Sequence, residues 1–524
     1  MADSVVQIDS SSESDGEILP PTCSGNNGRV LGAAASLATL MPSLVHDERS
    51  KVEFMQNALD QSDGSMKTRA LCPEVEEAIE WLSVRTEQQI VDERERAISQ
   101  LEEMGKQMRA EGAVDRWFLG SVDTVRRVAQ DVNGPLCDHV ADTLLQYHDR
   151  DCIDFFRKGA PLIGLLPISG NGVAMSSGVH ESLSELRAKA DERNRENMAS
   201  LREDCHAAAI LEKTRKDAMV GRMSVPTVLE DSNLPAVAVL APRFAVVQGV
   251  DAEGMPKLRV VDDGSICGVN GASEPQERLV HDTVDLLYSA AQRFVVKVQA
   301  APTLMKADID AAFRRIPIAP EHYFAAFVMF MALGRVYVAK HHAMPFGALS
   351  SVHAWDRVGS FLLSAARRIL KIPMLRYVDD YFAVDKDGCA EHGLDCFVRL
   401  VRCLLGDGAI AKEKISHGVP LTILGLDIMP SMDGFACWPR PEKVEKWVRR
   451  IDTALQTNRL CSGEASKLAG ALGWAAQNMF RRIGRAMLRP LYNQARRRRA
   501  AINKPLTLCL NWWKEVCIEL VNCV

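Results

Sequence analysis

The segment Leu375-Arg-Tyr-Val-Asp-Asp-Tyr-Phe-Ala-Val384 sets two adjacent carboxylates inside an otherwise apolar run. Tyr377, Val378, Tyr381, Phe382 and Val384 are aromatic or β-branched and favour extended backbone. They predict two strands, with Asp379 and Asp380 in the tight connection of a hairpin. A hairpin tip bearing two carboxylates suits a magnesium ion, because hard cations take oxygen ligands and keep positions for water and substrate phosphates. The same residues also fit a solvated Asp-Asp turn. What the rest of the chain brings to this point decides between the two.

About seventy residues upstream stands Lys306-Ala-Asp-Ile-Asp-Ala-Ala-Phe-Arg-Arg-Ile-Pro-Ile318. Read as a strand, Ala307 to Ile309 holds Asp308 at its C-terminal end, where a third carboxylate can meet the other two across a sheet. Three carboxylates converging on two divalent cations are what two-metal phosphoryl transfer requires. Asp308 or Asp310 taken alone also fits a strand-end or helix-capping aspartate. Tyr323 to Met331, a turn at Leu333-Gly334, and Arg335 to Lys340 predict a second hairpin, which leads into Met344-Pro-Phe-Gly347. From Ser350, Val352, Trp355, Val358, Phe361, Leu362, Ala365 and Ile369 recur at helical spacing and mark one buried face. Thr422 to Met429 and Phe435 to Trp438 flank an Asp433-Gly434 turn and predict a third hairpin. Past Pro441 the chain reads as helical to about Arg499.

Before this α+β part, residues 1–72 are acidic, Ser-rich and without periodicity, and are expected to be disordered. Residues 73–225 read as a helical region. Ile90, Ala97, Leu101, Met104 and Met108 mark one long amphipathic helix, and Glu181 to Lys216 a second, carrying Leu183, Leu186, Ala190, Met198 and Leu201. After Pro226 the runs Ala236–Leu240, Phe244–Val247 and Leu258–Val261 read as strands.

The 524 residues are 47% hydrophobic and 25% charged, an ordinary globular composition with room for roughly three domains. No apolar run approaches the roughly 20 residues that span a bilayer, and the N-terminus has no leader pattern, so an intracellular protein of cytoplasm or nucleus is expected, without membrane contact. The 14 cysteines show no Cys-x-x-Cys pair or Cys/His ligand spacing, which favours reduced structural thiols over disulfides or zinc. The net charge of −5 conceals an asymmetry: residues 1–100 carry 18 acidic and 8 basic groups, whereas residues 436–500 carry 15 basic and 4 acidic. Any polyanion-binding surface is therefore expected in the C-terminal part.

In order, Lys257-Leu-Arg-Val-Val-Asp-Asp263, the Asp308 segment, Met344-Pro-Phe-Gly347, Tyr377-Val-Asp-Asp380 and Ile423-Leu-Gly-Leu-Asp-Ile428 resemble the successive motifs of reverse transcriptases, in their retrotransposon-encoded form. The resemblance covers about residues 240–495. It implies an α+β right-hand polymerase, with fingers and an antiparallel palm over 226–438 and a basic helical thumb over 439–524. By the same resemblance Asp308, Asp379 and Asp380 are catalytic and hold magnesium, with manganese as the substitute. Phe313 falls where these enzymes keep an aromatic gate against a ribose 2′-hydroxyl. Lys257 and Arg259 resemble the basic residues that clasp an incoming triphosphate, Phe346 and Gly347 the segment beside base and template, and Lys414, with Lys412 close behind, the lysine thought to protonate pyrophosphate. Leu424-Gly425 resembles the primer grip, with Trp438 beneath it. Arg449, Arg450, Arg481, Arg482, Arg485, Arg489 and Arg496–Arg499 resemble a thumb that tracks a duplex through its phosphates, although the four-arginine run also fits a localisation signal.

The expected partners are an RNA or DNA template with its primer and deoxynucleoside triphosphates; the sequence gives no protein partner. The resemblance departs in two respects. The Trp512-Trp513 element is not followed by a ribonuclease H cluster of carboxylates, and the long N-terminal third matches no protease, integrase or endonuclease pattern. A catalytically inactive or domesticated nucleic-acid-binding remnant is the competing expectation, and an RNA polymerase on the same palm a third.

Overall fold

In the computed structural model the described residues are 69–522, apart from 176, 177, 179, 251–254, 479–483 and 485–486. Nearly all of the 1–72 tail, as well as Arg481, Arg482 and Arg485, therefore lies outside the described residues. The chain is a mixed α/β protein with two compact units, Ala70–Leu424 with Pro430–Phe435, and Gly425–Met429 with Ala436–Val524.

The larger unit begins with a short helix, followed by the long amphipathic one that Ile90 to Met108 predict. Helix α1 (Pro73–Ser83) ends before Thr86, whose side chain opens α2 (Glu87–Ala110) with a capping box completed by Gln89. Short helical segments follow between Ala113 and Lys158. The predicted helix from Glu181 is two, α3 (Leu183–Ser200) and α4 (Ala207–Met219). The first ends where Leu201 turns to extended backbone, and Asp204 holds the connection, its carboxylate accepting from the backbone N–H groups of His206 and of the distant Ala245.

Five strands form one sheet in the order β1-β6-β5-β2-β3, namely β1 (Thr227–Val228), β2 (Leu240–Val250), β3 (Pro256–Asp262), β5 (Phe327–Ala332) and β6 (Arg335–Lys340). The expected strand from Tyr323 begins only at Phe327, because Pro320 starts a 3₁₀ turn over Pro320–Ala325. The β5–β6 turn is the expected Leu333-Gly334, with both residues at positive φ and both N–H groups donating to Glu203.

The second sheet carries the carboxylates. Its order is β7-β8-β4-β9, with β4 (Thr303–Asp308), β7 (Met374–Tyr377), β8 (Asp380–Asp385) and β9 (Ile415–Gly418). All of its pairings are antiparallel. Helices α5 (Val284–Val298), α6 (Leu349–Arg368) and α7 (Asp387–Leu405) pack on it, and α6 buries Trp355, Val358, Phe361 and Leu362 as its spacing predicts. One core joins Ile98 and Leu101 of α2 and Phe155 and Phe156 of the short helices to Met305, Trp355, Phe361 and Phe397.

That joint is fastened by charge. Arg94 of α2 and Asp385 at the end of β8 form an ion pair of 2.6 Å with side chains 1% and 0% exposed. Arg94 also donates to the carbonyl oxygens of Leu370 and Lys371. Strand β10 (Leu426–Pro430) pairs with β11 (Phe435–Pro439), all but Pro430 and Phe435 lying in the smaller unit. Helices α8 (Pro441–Thr457), α9 (Ser462–Asn478), α10 (Arg489–Ala495) and α11 (Lys504–Asn522) surround Trp447, Ile451, Leu472, Leu491 and Trp513. Arg496 to Arg499 are exposed. All described cysteines are free thiols, and no helix among the described residues is long and apolar enough to cross a membrane.

Removing Arg94 leaves the buried Asp385 without its countercharge, although the Lys386 N–H still donates to it. Arg94→Ala is expected to lower unfolding free energy by about 3–5 kcal/mol in a denaturant titration at neutral pH, and Arg94→Ala with Asp385→Ala by clearly less.

Candidate active site

Strand β4 presents Asp308 directly opposite Asp380, the first residue of β8. Tyr377 pairs with Asp380, which leaves only Val378 and Asp379 in the turn. Asp380 is thus a strand residue and not a turn residue, a difference from the sequence expectation that follows from Val378 adopting a left-handed φ of 55°. A β-branched residue is strained in that conformation and stays there only where its surroundings hold it. Three contacts do so. The Trp355 indole N–H donates to Val378 O at 3.0 Å, Arg376 donates to the same oxygen at 2.7 Å, and Ile309 N donates to Asp379 O at 3.2 Å. Arg376 is itself buried and fixed by Asp356 and Ser360.

Lys414 lies 3.3 Å from both Asp308 Oδ2 and Asp310 Oδ1. Burial alone would lower its pKa, but the two carboxylates outweigh it and hold the ammonium above the ordinary lysine range. Asp310 is fixed from behind, its N–H donating to Ala409 O at 2.8 Å and its carbonyl accepting from Arg315. Asp308 is raised from the usual carboxylate range by burial, which Lys414 opposes and Asp379 reinforces. Burial, followed by the charges of Asp379 and Asp308, pushes the Asp380 carboxyl up to about 6. The Asp380 residue nevertheless stays open to solvent, which screens part of that repulsion.

A divalent cation fits this donor set. Asp308 Oδ1 is a buried oxygen without a hydrogen-bond partner. The carboxylates also carry more negative charge than one lysine neutralises. Asp308, Asp379 and Asp380 do not bring one oxygen each within 4.8 Å of one another, so they form no closed three-ligand cage around a single ion in this arrangement.

Phe313, five residues after Asp308, and Phe346 form an aromatic wall. The rings of Phe313 and Phe346 lie 5.4 Å apart, and the Arg259 guanidinium covers Phe346 at 5.3 Å. Arg259 therefore joins Phe313 and Phe346, whereas Lys257, exposed on the same strand, is not drawn into the group. Gly347 has a φ of +106°, and a Cβ there would run into the carbonyl oxygen of Asp262, so glycine is required.

Behind the wall lies a buried polar network with little sequence signal beyond Asp262 itself. Arg243 forms two hydrogen bonds to Asp262, at 2.7 and 3.0 Å. Burial pushes His341 down to about 4, so its ring is neutral. In the tautomer that fits, its Nε2–H donates to Asp262 at 2.8 Å and Nδ1 accepts from Arg314 at 2.8 Å. Arg314, next to Phe313 in sequence, also donates to Ala343 O and Met344 O, which ties the Phe313 turn to the Met344–Gly347 segment. Trp355, Arg376, Arg314 and His341 escaped the sequence reading. Trp355 was legible only as core, and the other three act through partners remote in sequence.

In the smaller unit, Lys443 covers the Trp474 ring at 4.4 Å and donates to Gly425 O. Leu424 and Gly425 both have positive φ, a tight bend that divides the single strand expected over Thr422 to Met429.

No protein-family model matches the sequence, and no curated protein does. Solved structures of foamy viral protease-reverse transcriptase are similar in fold at a low level. The complex with an RNA/DNA hybrid aligns at a TM-score of 0.39 and 14% identity, over 60% of this chain and 37% of that one. A form designated dRH, with double-stranded DNA, gives 0.42 and 14%, over 74% and 60%. A third, also with double-stranded DNA, gives 0.40 and 16%, over 61% and 58%. This chain thus spans well under two thirds of the lengths of those proteins.

Two outcomes follow for cation binding. Trp355→Phe removes the donor to Val378 O together with part of a buried indole, and is expected to weaken Mn²⁺ binding by about 10-fold and to lower the melting temperature as well. Because a proton competes for Asp380, Mn²⁺ affinity should fall as pH drops through about 6 and recover above it. Paramagnetic resonance titrations between roughly pH 5 and 8 should show that inflection in the wild type and not in Asp380→Asn.

Proposed function

We propose that the chain is an RNA-directed DNA polymerase of mobile-element origin, which extends a primer with deoxynucleotides along a template. The observation that carries this reading is the cross-strand pairing of Asp380 with Asp308, with Asp379 in the adjoining strained turn. The order of the surrounding motifs supports it, as does the placement of Phe313 against Phe346. In this reading residues 226–438 are fingers and palm, and residues 439–524 a thumb.

Asp308, Asp379 and Asp380 would hold two divalent cations, magnesium by preference, which when bound supply a lowered pKa for the primer 3′-hydroxyl and neutralise the leaving pyrophosphate. The chain's own residues do the rest. Arg259, held flat on Phe346, offers a fixed positive charge and forked donors to the triphosphate of the incoming nucleotide. Phe313 closes the space that a ribose 2′-hydroxyl would need, and Gly347 lets the backbone approach the base. Lys414 holds a proton within reach of the carboxylates, from where it can pass to pyrophosphate. Lys443 and the exposed Arg496–Arg499 offer phosphate contacts to a duplex without sequence preference.

Asp379→Asn should reduce primer extension on poly(rA)/oligo(dT) by about 100-fold or more while leaving duplex affinity within a factor of a few. Extension at the wild-type rate by that variant would remove the assignment, and duplex binding without extension by the unmutated chain would point to a non-catalytic remnant. Phe313→Ala should raise ribonucleotide incorporation roughly 10- to 100-fold relative to deoxynucleotide. Unchanged discrimination would take the gate away from Phe313.

A further inference from the structure

Glu95 on α2 and His392 and Cys396 on α7 bring a carboxylate oxygen, an imidazole nitrogen and a thiol sulfur within 4.8 Å of one another, the only such trio among the described residues. His392 and Cys396 are four residues apart, one above the other on a single helix face. Glu95 reaches them from 297 positions away. His392 Nε2 is 3.2 Å from Glu95 Oε2, and Cys396 Sγ is 3.7 Å from Nε2. In a tetrahedral zinc site, with metal–sulfur bonds of about 2.3 Å and metal–nitrogen or –oxygen bonds of about 2.0–2.1 Å, neighbouring donors lie about 3.3–3.6 Å apart. We propose that Glu95, His392 and Cys396 bind one zinc ion, which clips α2 to α7 and leaves a fourth position for water.

The donor set selects the metal. Sulfur and imidazole suit zinc or cobalt and not magnesium, which separates this site from the carboxylates of β4 and β8. Two adjustments accompany binding. Cys396 Sγ is 3.6 Å from Nδ1 as well, so the imidazole turns about χ2 to aim Nε2 at the ion. Arg399 also holds both Glu95 oxygens, at 2.8 and 3.0 Å, but it makes two further bonds to Glu102 and stays anchored when it gives up Glu95. Those contacts and Ser99 hold Glu95 well below the usual carboxylate range, so the ligand is already ionised. Burial pushes the Cys396 thiol up to about 12, so the sulfur keeps its proton until a cation expels it, and binding releases that proton to solvent. Glu95 and His392 are partly open to solvent and provide the way in, whereas Cys396 is buried. The His392/Cys396 spacing is visible in the sequence but does not by itself mark a site, because the third ligand, Glu95, comes from the other end of the large unit.

The inference does not depend on polymerase activity and is tested without it. The chelator-treated full chain is titrated with Co²⁺ in excess Mg²⁺, which fills the aspartate site. The expected result is one cobalt per chain, a thiolate-to-cobalt charge-transfer band in the near ultraviolet, displacement by zinc and a higher melting temperature with zinc bound. Cys396→Ser should lose the band with an unchanged far-ultraviolet dichroism spectrum. His392→Ala should bind about 10-fold or more weakly. Asp379→Asn should bind cobalt like the wild type. Absence of the band in the wild-type chain, or a band of undiminished intensity in Cys396→Ser or His392→Ala, would overturn the proposal.

Discussion

The carbonyl oxygen of Val378 accepts hydrogen bonds from the Trp355 indole and the Arg376 guanidinium, and together they hold a β-branched residue in left-handed backbone. Because Val378 is held there, the β7–β8 turn contains two residues. Because it contains two, Asp380 falls in register with Asp308 and Asp379 projects from the turn. A one-residue shift in this register would carry Asp380 to the opposite face of the sheet. Trp355 is fully buried in α6, so the position of the turn is coupled to the core.

The same pattern recurs around the site: polar groups with costly burial fix short stretches of main chain. Arg376 rests on Asp356, Arg94 on Asp385, and Arg314 on Asp217 and His341. Such pairs add little net stability over apolar packing, but breaking one leaves an uncompensated charge, which makes alternative arrangements expensive. The carboxylates of Asp308 and Asp380 stand in contrast, raised in pKa and only partly neutralised by Lys414. Repulsion left unrelieved beside well-paired buried charges is what suits a cation-binding site.

Much of this was legible in the sequence because it is local. The β-rich runs around the aspartate pair, the Leu333-Gly334 turn and the buried face of α6 follow from side-chain type and spacing alone. The unreadable parts depend on partners remote in sequence. Valine carries no signal for left-handed backbone, so the length of the Asp379 turn was hidden. The helical pattern from Glu181 has no proline or glycine where it breaks at Leu201, and the connection that follows is held by Asp204 bonding to the remote Ala245. Spacing favours Lys414 only narrowly over Lys412, and the fold places Lys414 on Asp308 and Asp310. Residues 73–225, which resemble nothing by motif, share a core with the sheet that carries the carboxylates, and their Arg94 reaches the end of β8.

The central claim is that Asp308, Asp379 and Asp380 form a site of phosphoryl transfer. Rapid-quench incorporation of a single deoxynucleotide by the chain, on an RNA template with a DNA primer, tests it most directly. The account predicts one nucleotide added and one pyrophosphate released per primer, only when a divalent cation is present. Retention of the primed template without incorporation at any concentration of magnesium or manganese would contradict it.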